Sequence, residues 1–260
     1  MKQTACRTQG GEMVMASRKK HGGVYANKTG LSSASVAERR KAIGDKLSFS
    51  ASEAYKLLRT NIIYSMADEE GCKVIGVTSA LRGEGKSTTS LNLAYTLAVS
   101  GKRVLLLEAD LRIPSQAAVL KVAKTPGLSE VLVGEAPLAE TIQYGVLLKT
   151  LALLPAGQIP PNPAELLSSK RMEQVLEALV GAFEYIIVDL PPVNAVSDGL
   201  VLSKQLSGML VVVRQEYCDQ VPLAEAMRRM ELLNVKILGF VLNDAEPEEK
   251  RYKKYGKSYK

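Results

Sequence analysis

The feature that most constrains the fold is a glycine-rich loop between an apolar run and a helical segment. Residues 73–78 form an apolar run suited to a buried strand, and Gly83-Glu84-Gly85-Lys86-Ser87-Thr88 follows it. Residues 88–100 then have helical character, and Gly101 ends the segment. Strand, loop and helix in this order make a P-loop, because glycines let backbone N–H groups curl toward phosphate oxygens and the helix N-terminus adds positive potential. The sequence therefore predicts a nucleoside-triphosphate site.

The loop also carries the polar side chains that such a site uses. In a P-loop the lysine, here Lys86, reaches the β- and γ-phosphates, and the next hydroxyl, here Ser87, ligates Mg²⁺. Ala80 stands where the loop usually has its first glycine, a position that accepts small residues. We expect ATP and Mg²⁺ as cofactors, with nucleotide contacts from the whole loop: Gly83, Glu84, Gly85, Lys86, Ser87 and Thr88.

Apolar runs and helical segments alternate along the rest of the chain. Further strands are predicted at residues 103–108, 151–154, 185–189, 208–214 and 237–242. Helices are predicted at residues 52–67 (capped by Ser52), 128–133, 162–179 (capped by Asn162), 198–204 and 222–234. Strands buried on both faces that alternate with helices form mostly parallel sheets covered on both sides. The predicted fold is α/β, a P-loop NTPase with a mostly parallel central sheet and helices on both faces.

Acidic residues stand at the ends of two predicted strands. Glu108 and Asp110 end one, and Asp189 ends another. The carboxyl ends of parallel strands face the ligand crevice, so these acids should converge with the P-loop. Ser87, Asp110 and Asp189 are the expected Mg²⁺ site, with Asp189 acting through water because Mg²⁺ retains several waters.

Composition excludes several other kinds of protein. The one histidine, His21, lies in a polar stretch, so a hydrolase that needs an imidazole base is not expected. Three widely spaced cysteines form no CxxC pair and predict neither a disulfide framework nor a zinc site. The longest apolar runs fall far short of the ~20 residues of a membrane-spanning helix. A reducing, cytoplasmic setting fits best.

Three parts are predicted along the chain: a disordered basic arm (1–47), a folded domain (48–243) and a flexible tail (244–260). Residues 1–50 hold ten Lys/Arg and three Asp/Glu, an excess equal to the net charge of +7 of the whole chain. The arm is interpreted as solvated, with attraction to an anionic membrane or nucleic acid as the alternative. Residues 9–13 are what a ribosome-binding sequence encodes when translated in frame, so we expect translation to begin at Met13 or Met15.

The ordered series of motifs resembles the bacterial tyrosine kinase (BY-kinase) family of the capsular and exopolysaccharide type. The likeness covers about residues 50–243, and a tyrosine-rich tail extends it. The series consists of Gly-Glu-Gly-Lys-Ser-Thr-Thr (83–89), Leu-Leu-Glu-Ala-Asp-Leu-Arg-Ile-Pro (106–114), Leu-Pro-Ala-Gly (154–157), Pro-Pro-Asn-Pro-Ala-Glu-Leu-Leu (160–167), Ile-Ile-Val-Asp-Leu-Pro-Pro (186–192), Asp198 and Val-Leu-Asn (241–243).

The resemblance implies a kinase that transfers the γ-phosphate of ATP to its own C-terminal tyrosines, in trans between subunits of a ring, and so regulates capsular or exopolysaccharide synthesis. Lys86 and Ser87 match its Walker A roles, and Asp189 matches Walker B. Glu108, Asp110 and Arg112 match a second catalytic motif, Asp-x-Asp-x-Arg, in which either acid could be the base. The implied phosphoacceptors are Tyr252, Tyr255 and Tyr259, Asn243 is implied to lie near the adenine, and Glu53, Lys56 and Arg59 match an oligomerisation motif.

Two departures from the family pattern bear on function. Glu108 replaces the first Asp, which lengthens that carboxylate by one methylene. Lys56 replaces an Arg, which removes a bidentate fork from the oligomerisation motif.

The resemblance also implies partners. A membrane-embedded modulator, akin to a polysaccharide co-polymerase, would activate the kinase with its cytoplasmic end and recruit it from the cytoplasm to the inner face of the membrane. A tyrosine phosphatase would counteract it, and no nucleic acid is expected.

The tail itself favours a substrate role, since three of the ten tyrosines fall within the last nine residues, where a solvated segment offers them nothing to pack against. A basic-aromatic tail that binds nucleic acid is the second interpretation. Partitioning ATPases of the deviant Walker A group are the main alternative for the whole chain, but Leu81 stands where they carry a signature lysine. A nucleotide-switched scaffold without kinase activity is the third.

Overall fold

The structure, a computed structural model, describes residues 33–245. Its helices are α1 (Ser33–Arg39), α2 (Phe49–Ser65), α3 (Lys86–Val99), α4 (Gln116–Leu120), α5 (Leu128–Val133), α6 (Leu138–Thr141), α7 (Pro163–Leu167), α8 (Lys170–Val180), α9 (Asp198–Val201) and α10 (Gln220–Leu232), with short 3-10 helices at Gly44–Lys46 and Ser203–Gln205. Its strands are β1 (Lys73–Ser79), β2 (Val104–Glu108), β3 (Gln143–Tyr144), β4 (Leu151–Leu154), β5 (Tyr185–Asp189), β6 (Gly208–Arg214) and β7 (Ile237–Asn243).

The seven described strands form one sheet in the order β3-β4-β2-β5-β1-β6-β7. All neighbouring pairs are parallel except β3 with β4. Strand residues alternate between two apolar clusters, as in β2, where Leu105 and Leu107 join one cluster and Val104 and Leu106 join the other. Burial on both faces confirms the predicted α/β fold with a mostly parallel central sheet.

The three central strands bring the predicted acids to one edge. β5 lies between β2 and β1, and its last residue, Asp189, is in register with Glu108 of β2 and Val77 of β1. Because the strands are parallel, their carboxyl ends and the loop after β1 meet at the same edge. The sheet therefore places the acids beside the P-loop.

Residues 33–47 are folded onto the domain, which corrects the prediction that the disordered arm extends to residue 47. Ile43 is only 5% exposed. The side chain of Asn92 accepts from Gly44 N and donates to Ala42 O, both at 3.0 Å. Much of this contact runs through single polar side chains and the backbone, so no apolar periodicity marked it in the sequence. Residues 1–32 of the predicted arm lie outside the described residues, as do residues 246–260 of the predicted tail.

Two helix boundaries also differ from the predictions. The cap of α2 is Ser48, whose side chain accepts from Ala51 N at 3.3 Å, so the helix begins before the expected Ser52. The single helix predicted over 162–179 is two helices, because Ser169 caps a second one by accepting from Met172 N at 3.2 Å. Both errors arise because a serine can cap a helix as well as lie within one.

Candidate nucleotide and phosphotransfer site

The P-loop depends on a glycine where the backbone turns into α3. Gly85, which caps α3, has φ +93°, and a Cβ there would lie 2.1 Å from the Asn243 Nδ2 atom. No other residue fits that position without displacing its neighbour. A backbone bond of 2.9 Å from Thr89 N to Gly85 O begins the helical ladder, so the N–H groups of the preceding helical residues are left to face an anion.

The loop is braced from both sides. Glu84 is fully buried, and its Oε2 accepts from Leu81 N at 2.6 Å within the loop itself. Asn243, at the end of β7, donates from Nδ2 to Glu84 O at 2.9 Å. Tyr217 donates its hydroxyl to Arg82 O at 2.9 Å. Sequence reasoning missed Tyr217. The expected position of Asn243 near the adenine stays a prediction, and its side chain contacts the loop backbone.

Lys86 lies between two carboxylates. Its Nζ is 2.9 Å from Asp110 Oδ2 and 3.5 Å from Asp189 Oδ1, and it donates to Ser87 Oγ at 3.2 Å. Burial acts to lower the pKa of Lys86, but the charges of Asp189 and Asp110 outweigh burial and raise it. The lysine is therefore a fixed cation at the start of α3. The structure thus brings together Lys86, Ser87, Asp110 and Asp189, as the sequence predicted.

Asp189 is fully buried and held by neutral donors as well. Ser90 Oγ lies 3.3 Å from its Oδ1, and Gln116 Nε2 donates to its Oδ2 at 2.7 Å. The same Gln116 Nε2 donates to Ser87 O at 2.9 Å, which joins α4 to the P-loop helix. Gln116 Oε1 is buried and has no partner among the described residues. Neither Ser90 nor Gln116 carried a signal in the sequence, since both are uncharged residues within helices.

Glu108 has a different orientation from the other acids. Its Oε1 accepts from the backbone N–H groups of Ser115 and Gln116, and its Oε2 accepts from Ala156 N at 3.2 Å. Burial raises the pKa of Glu108 to about 7, and the bonds from Gln116 and Ser115 oppose that rise. Its carboxylate thus ties the turn after β2 to the loop after β4, whereas Asp110 is the acid that faces Lys86.

Arg112 forms a two-point contact with Asp198. The guanidinium Nε is 2.6 Å from Asp198 Oδ2, and Nη2 is 3.1 Å from Oδ1. Asp198 is 1% exposed, whereas the side chain of Arg112 is 44% exposed. This pair joins the turn after β2 to the start of α9, so Arg112 holds the segment that carries Asp110.

The residues present fit magnesium bound together with a nucleotide. Among residues 33–245, no group of three or more His, Cys, Asp or Glu could hold a metal ion by itself. The Ser87 hydroxyl and the adjoining Asp110 and Asp189 carboxylates are oxygen donors, which Mg²⁺ prefers, and P-loop sites complete its shell with phosphate and water.

A residue from outside the sheet also enters the site. Arg39, the last residue of α1, donates from Nε to Thr88 Oγ1 at 3.1 Å. Burial lowers the pKa of Arg39, and the charges of Asp189 and Glu108 oppose that fall. No motif marked this arginine, because it lies in the segment predicted to be a disordered arm.

Comparison with known proteins identifies the family. A model described as an AAA domain matches residues 72–234. The tyrosine-protein kinase YwqD of Bacillus subtilis (strain 168) is 38% identical over 192 residues, which cover 74% of this chain and 80% of that protein. The chain belongs to the bacterial tyrosine-protein kinase family.

Solved structures agree with this assignment. The kinase domain of the Escherichia coli tyrosine kinase ETK superposes on this tyrosine kinase with a TM-score of 0.73 and 33% identity, covering 80% of this chain and 82% of that one. The septum site-determining protein MinD of Pyrococcus horikoshii OT3, solved with Mg-ADP, gives a TM-score of 0.57 at 24% identity, covering 69% and 75%. The second likeness shows the fold alone, and that fold agrees with the predicted mostly parallel α/β sheet.

The predicted oligomerisation residues lie on α2, and they make contacts within the chain. Arg59 donates from Nη1 to Thr96 O at 3.0 Å and so fastens α2 of this tyrosine kinase to α3. Glu53 and Lys56 form an exposed ion pair of 2.7 Å with each other. The predicted phosphoacceptors, Tyr252, Tyr255 and Tyr259, lie outside the described residues. Within residues 33–245, no helix has the length and apolar character needed to cross a membrane.

Proposed function

We propose that this kinase transfers the γ-phosphate of ATP to Tyr252, Tyr255 and Tyr259 of a neighbouring copy. The observation that carries the proposal is the position of Lys86, at the start of the P-loop helix and in contact with both Asp110 and Asp189. A cation, a hydroxyl and two carboxylates at one helix N-terminus are the set that phosphoryl transfer requires. The tail supplies acceptors, since three of the chain's ten tyrosines lie in its last nine residues.

Each side chain in the site has a proposed task. Lys86 and the N–H groups at the start of α3 bind and orient the phosphates, and the Ser87 hydroxyl would be a ligand of the metal. Asp189, fixed by Ser90 and Gln116, would also hold the metal. Mg²⁺ bound there would supply positive charge beside the phosphates. Asn243 and Glu84 keep the loop in the shape that receives the nucleotide.

Asp110 is the proposed base for the tyrosine hydroxyl. A tyrosine has a pKa near 10, so a carboxylate must take its proton as phosphate transfers. Asp110 Oδ2 faces Lys86, while its Oδ1 accepts from Ile113 N at 3.1 Å, which fixes the carboxylate. The Glu108 carboxylate is held by backbone N–H groups and not by Lys86, so we assign it a positioning role.

Phosphorylation would neutralise most of the positive charge of residues 250–260. Residues 250–260 contain six Lys/Arg, and each phosphate adds roughly −1.5 to −2 charge. Three phosphates therefore add roughly −4.5 to −6, which nearly or fully cancels the six positive charges. A cationic tail that docks against the acidic site of a neighbour would be released once it is modified. A fully phosphorylated tail that still holds the assembly together would contradict this step.

The surface of α2 supports the proposed ring and membrane partner. Phe49, Leu57 and Tyr64 are 83%, 62% and 77% exposed, which is more apolar surface than a solvated helix needs. The exposed pair Glu53 and Lys56 lies on the same helix. In this proposal α2 contacts the next subunit, a membrane-embedded modulator activates the ring at the inner face of the membrane, a phosphatase reverses the reaction, and the output is control of capsular or exopolysaccharide synthesis.

Mapping of phosphotyrosine tests the proposal. The purified protein is incubated with Mg-ATP and a peptide from the cytoplasmic end of a membrane modulator, and tail phosphotyrosine is located by mass spectrometry. Lys86→Met should abolish phosphotyrosine. A triple change of Tyr252, Tyr255 and Tyr259 to Phe should remove tail phosphorylation and spare transfer to an added tyrosine substrate. ATP hydrolysis without any phosphotyrosine would contradict the proposed tyrosine transfer and favour an ATPase activity.

A further inference from the structure

Helix α1 brings an arginine to the start of the P-loop helix. Arg39 Nε donates to the Thr88 hydroxyl at 3.1 Å, and Thr88 is the third residue of α3. The N–H groups of this first turn are the ones that a P-loop directs at phosphate. The guanidinium is thus beside the phosphate-binding turn, although it comes from a segment that precedes the sheet by more than thirty residues.

The approach of α1 is fixed by contacts on either side of Arg39. The adjacent Arg40 donates from Nε to Val119 O at 3.1 Å and from Nη2 to Ala118 O at 2.5 Å, which holds α1 against α4. On the other side, the paired bonds of Asn92 to Ala42 and Gly44 hold the following turn against α3. The position of Arg39 is therefore set by both neighbouring elements.

One end of the Arg39 guanidinium has no partner. Its Nη2 is buried and makes no hydrogen bond to any of the residues 33–245. A buried cationic donor without an acceptor is costly, and guanidinium is the side chain best suited to phosphate oxygens. The nearby carboxylates already have partners. Glu108 accepts hydrogen bonds from backbone N–H groups, and Asp189 contacts Lys86, Ser90 and Gln116. An acceptor brought by a ligand would satisfy Nη2.

We propose that Arg39 is a phosphate-binding residue of the nucleotide site, donated in cis by α1. Arg39 can contact a phosphate only when residues 33–47 are docked and the nucleotide is bound. Nucleotide binding and the docking of residues 33–47 would therefore stabilise each other, because linked equilibria are coupled reciprocally. The inference rests on the nucleotide-binding part of the proposed function and on none of the tyrosine transfer.

Binding of Mg²⁺ with the fluorescent nucleotide mant-ADP to the full chain tests the assignment. Arg39→Ala should raise the Kd by about tenfold to a hundredfold, the usual effect of losing a hydrogen bond to a charged group. Arg39→Lys, which keeps the charge, should lose less. Arg39→Gln keeps a donor near Thr88 without the charge and should weaken binding as Arg39→Ala does. The matched control is Lys41→Ala, which removes an exposed cation two residues away and should leave the Kd within about twofold.

Hydrogen exchange supplies a readout of the coupling. In the wild-type chain, Mg-ADP should slow exchange of the amides in residues 33–47, and Arg39→Ala should remove that protection. A Kd for Arg39→Ala and Arg39→Gln within twofold of wild type, or an equal loss in Lys41→Ala, overturns the proposal. The proposal is also overturned if Mg-ADP leaves hydrogen exchange in residues 33–47 of the wild-type chain unchanged. If the wild-type chain forms no phosphotyrosine, yet binds mant-ADP more tightly than the Arg39→Ala and Arg39→Gln variants do, the kinase proposal fails and this one stands. If phosphotyrosine forms and the Arg39 variants bind normally, this one alone fails.

Discussion

Lys86 and Asp110 form an ion pair of 2.9 Å that joins the first residue of α3 to the turn after β2. Their side chains are only 11% and 9% exposed, so the contact is shielded from water. The aspartate therefore orients the phosphate-binding lysine, and the same carboxylate is the proposed base. These two tasks can be separated by comparing nucleotide affinity with the rate of phosphate transfer.

Asp110→Asn should lower the rate of phosphotyrosine formation by about a hundredfold or more, because an amide cannot accept the tyrosine proton. Affinity for Mg²⁺ and mant-ADP should change far less, since Asp189 remains within 3.5 Å of Lys86. The measurements are initial rates on a tyrosine peptide at saturating ATP and nucleotide titrations on the same preparation.

Glu108→Gln is the control for that prediction. The amide nitrogen of Gln would face backbone N–H donors of Ser115, Gln116 or Ala156, so this variant should lose about 1–3 kcal/mol of stability. The folded fraction should still transfer phosphate at a rate much closer to that of the wild type. A folded Glu108→Gln protein without activity, beside an active Asp110→Asn protein, would exchange the two roles.

Gly85→Ala should disrupt the P-loop. A residue with a side chain pays about 1–2 kcal/mol to adopt the left-handed backbone of this position, and its Cβ would lie 2.1 Å from Asn243 Nδ2. We expect a lower Tm and loss of mant-ADP binding. Adding Asn243→Ala removes the collision but not the backbone strain, so the double variant should recover part of the Tm. A double variant no more stable than Gly85→Ala would show that the collision contributes nothing.

The bidentate contact between Arg112 and Asp198 should appear as a coupling energy. Removing Arg112 leaves a carboxylate that is 1% exposed without its cation. Breaking a fully buried pair costs about 3–5 kcal/mol, and the 44% exposure of the arginine side chain reduces this, so we expect a coupling of about 1–2 kcal/mol. A double-mutant cycle of Arg112→Ala and Asp198→Ala in urea denaturation measures it. Additive losses would mean that the two side chains act independently.

Much of the fold and the site's central residues followed from local patterns. Apolar runs of strand length, a glycine loop and strand-end acids each carry their signal within a few residues. Parallel pairing then brings the residues at the strand ends to one edge of the sheet, so the cluster of Lys86, Asp110 and Asp189 could be predicted from the sequence. Family membership agrees with the order of the motifs.

The remaining features depend on contacts between distant segments. Arg39 reaches Thr88 across 49 positions of the chain, and Asn243 reaches Glu84 across 159. Glu108 and Asp110 look equivalent in sequence, yet the turn between β2 and α4 directs them to different partners. Such choices depend on which backbone donors the tertiary fold presents, and a pattern of residue types does not contain that information.

Cys72 should alkylate slowly in the folded protein. Burial raises the pKa of its thiol to about 11 from an ordinary value of 9.0; Lys73 lowers it and Glu184 raises it further. A raised pKa leaves less thiolate at any pH below it, and the thiolate is the nucleophile. A pKa higher by about two leaves about a hundredfold less thiolate at pH 8. The rate of alkylation by iodoacetamide should therefore be about a hundredfold below that of the same cysteine in urea. The folded rate should rise about tenfold per pH unit between pH 8 and 10, as peptide mass spectrometry can follow. Equal rates in the folded and unfolded chain would show that residue 72 is far more accessible than the packing of β1 allows.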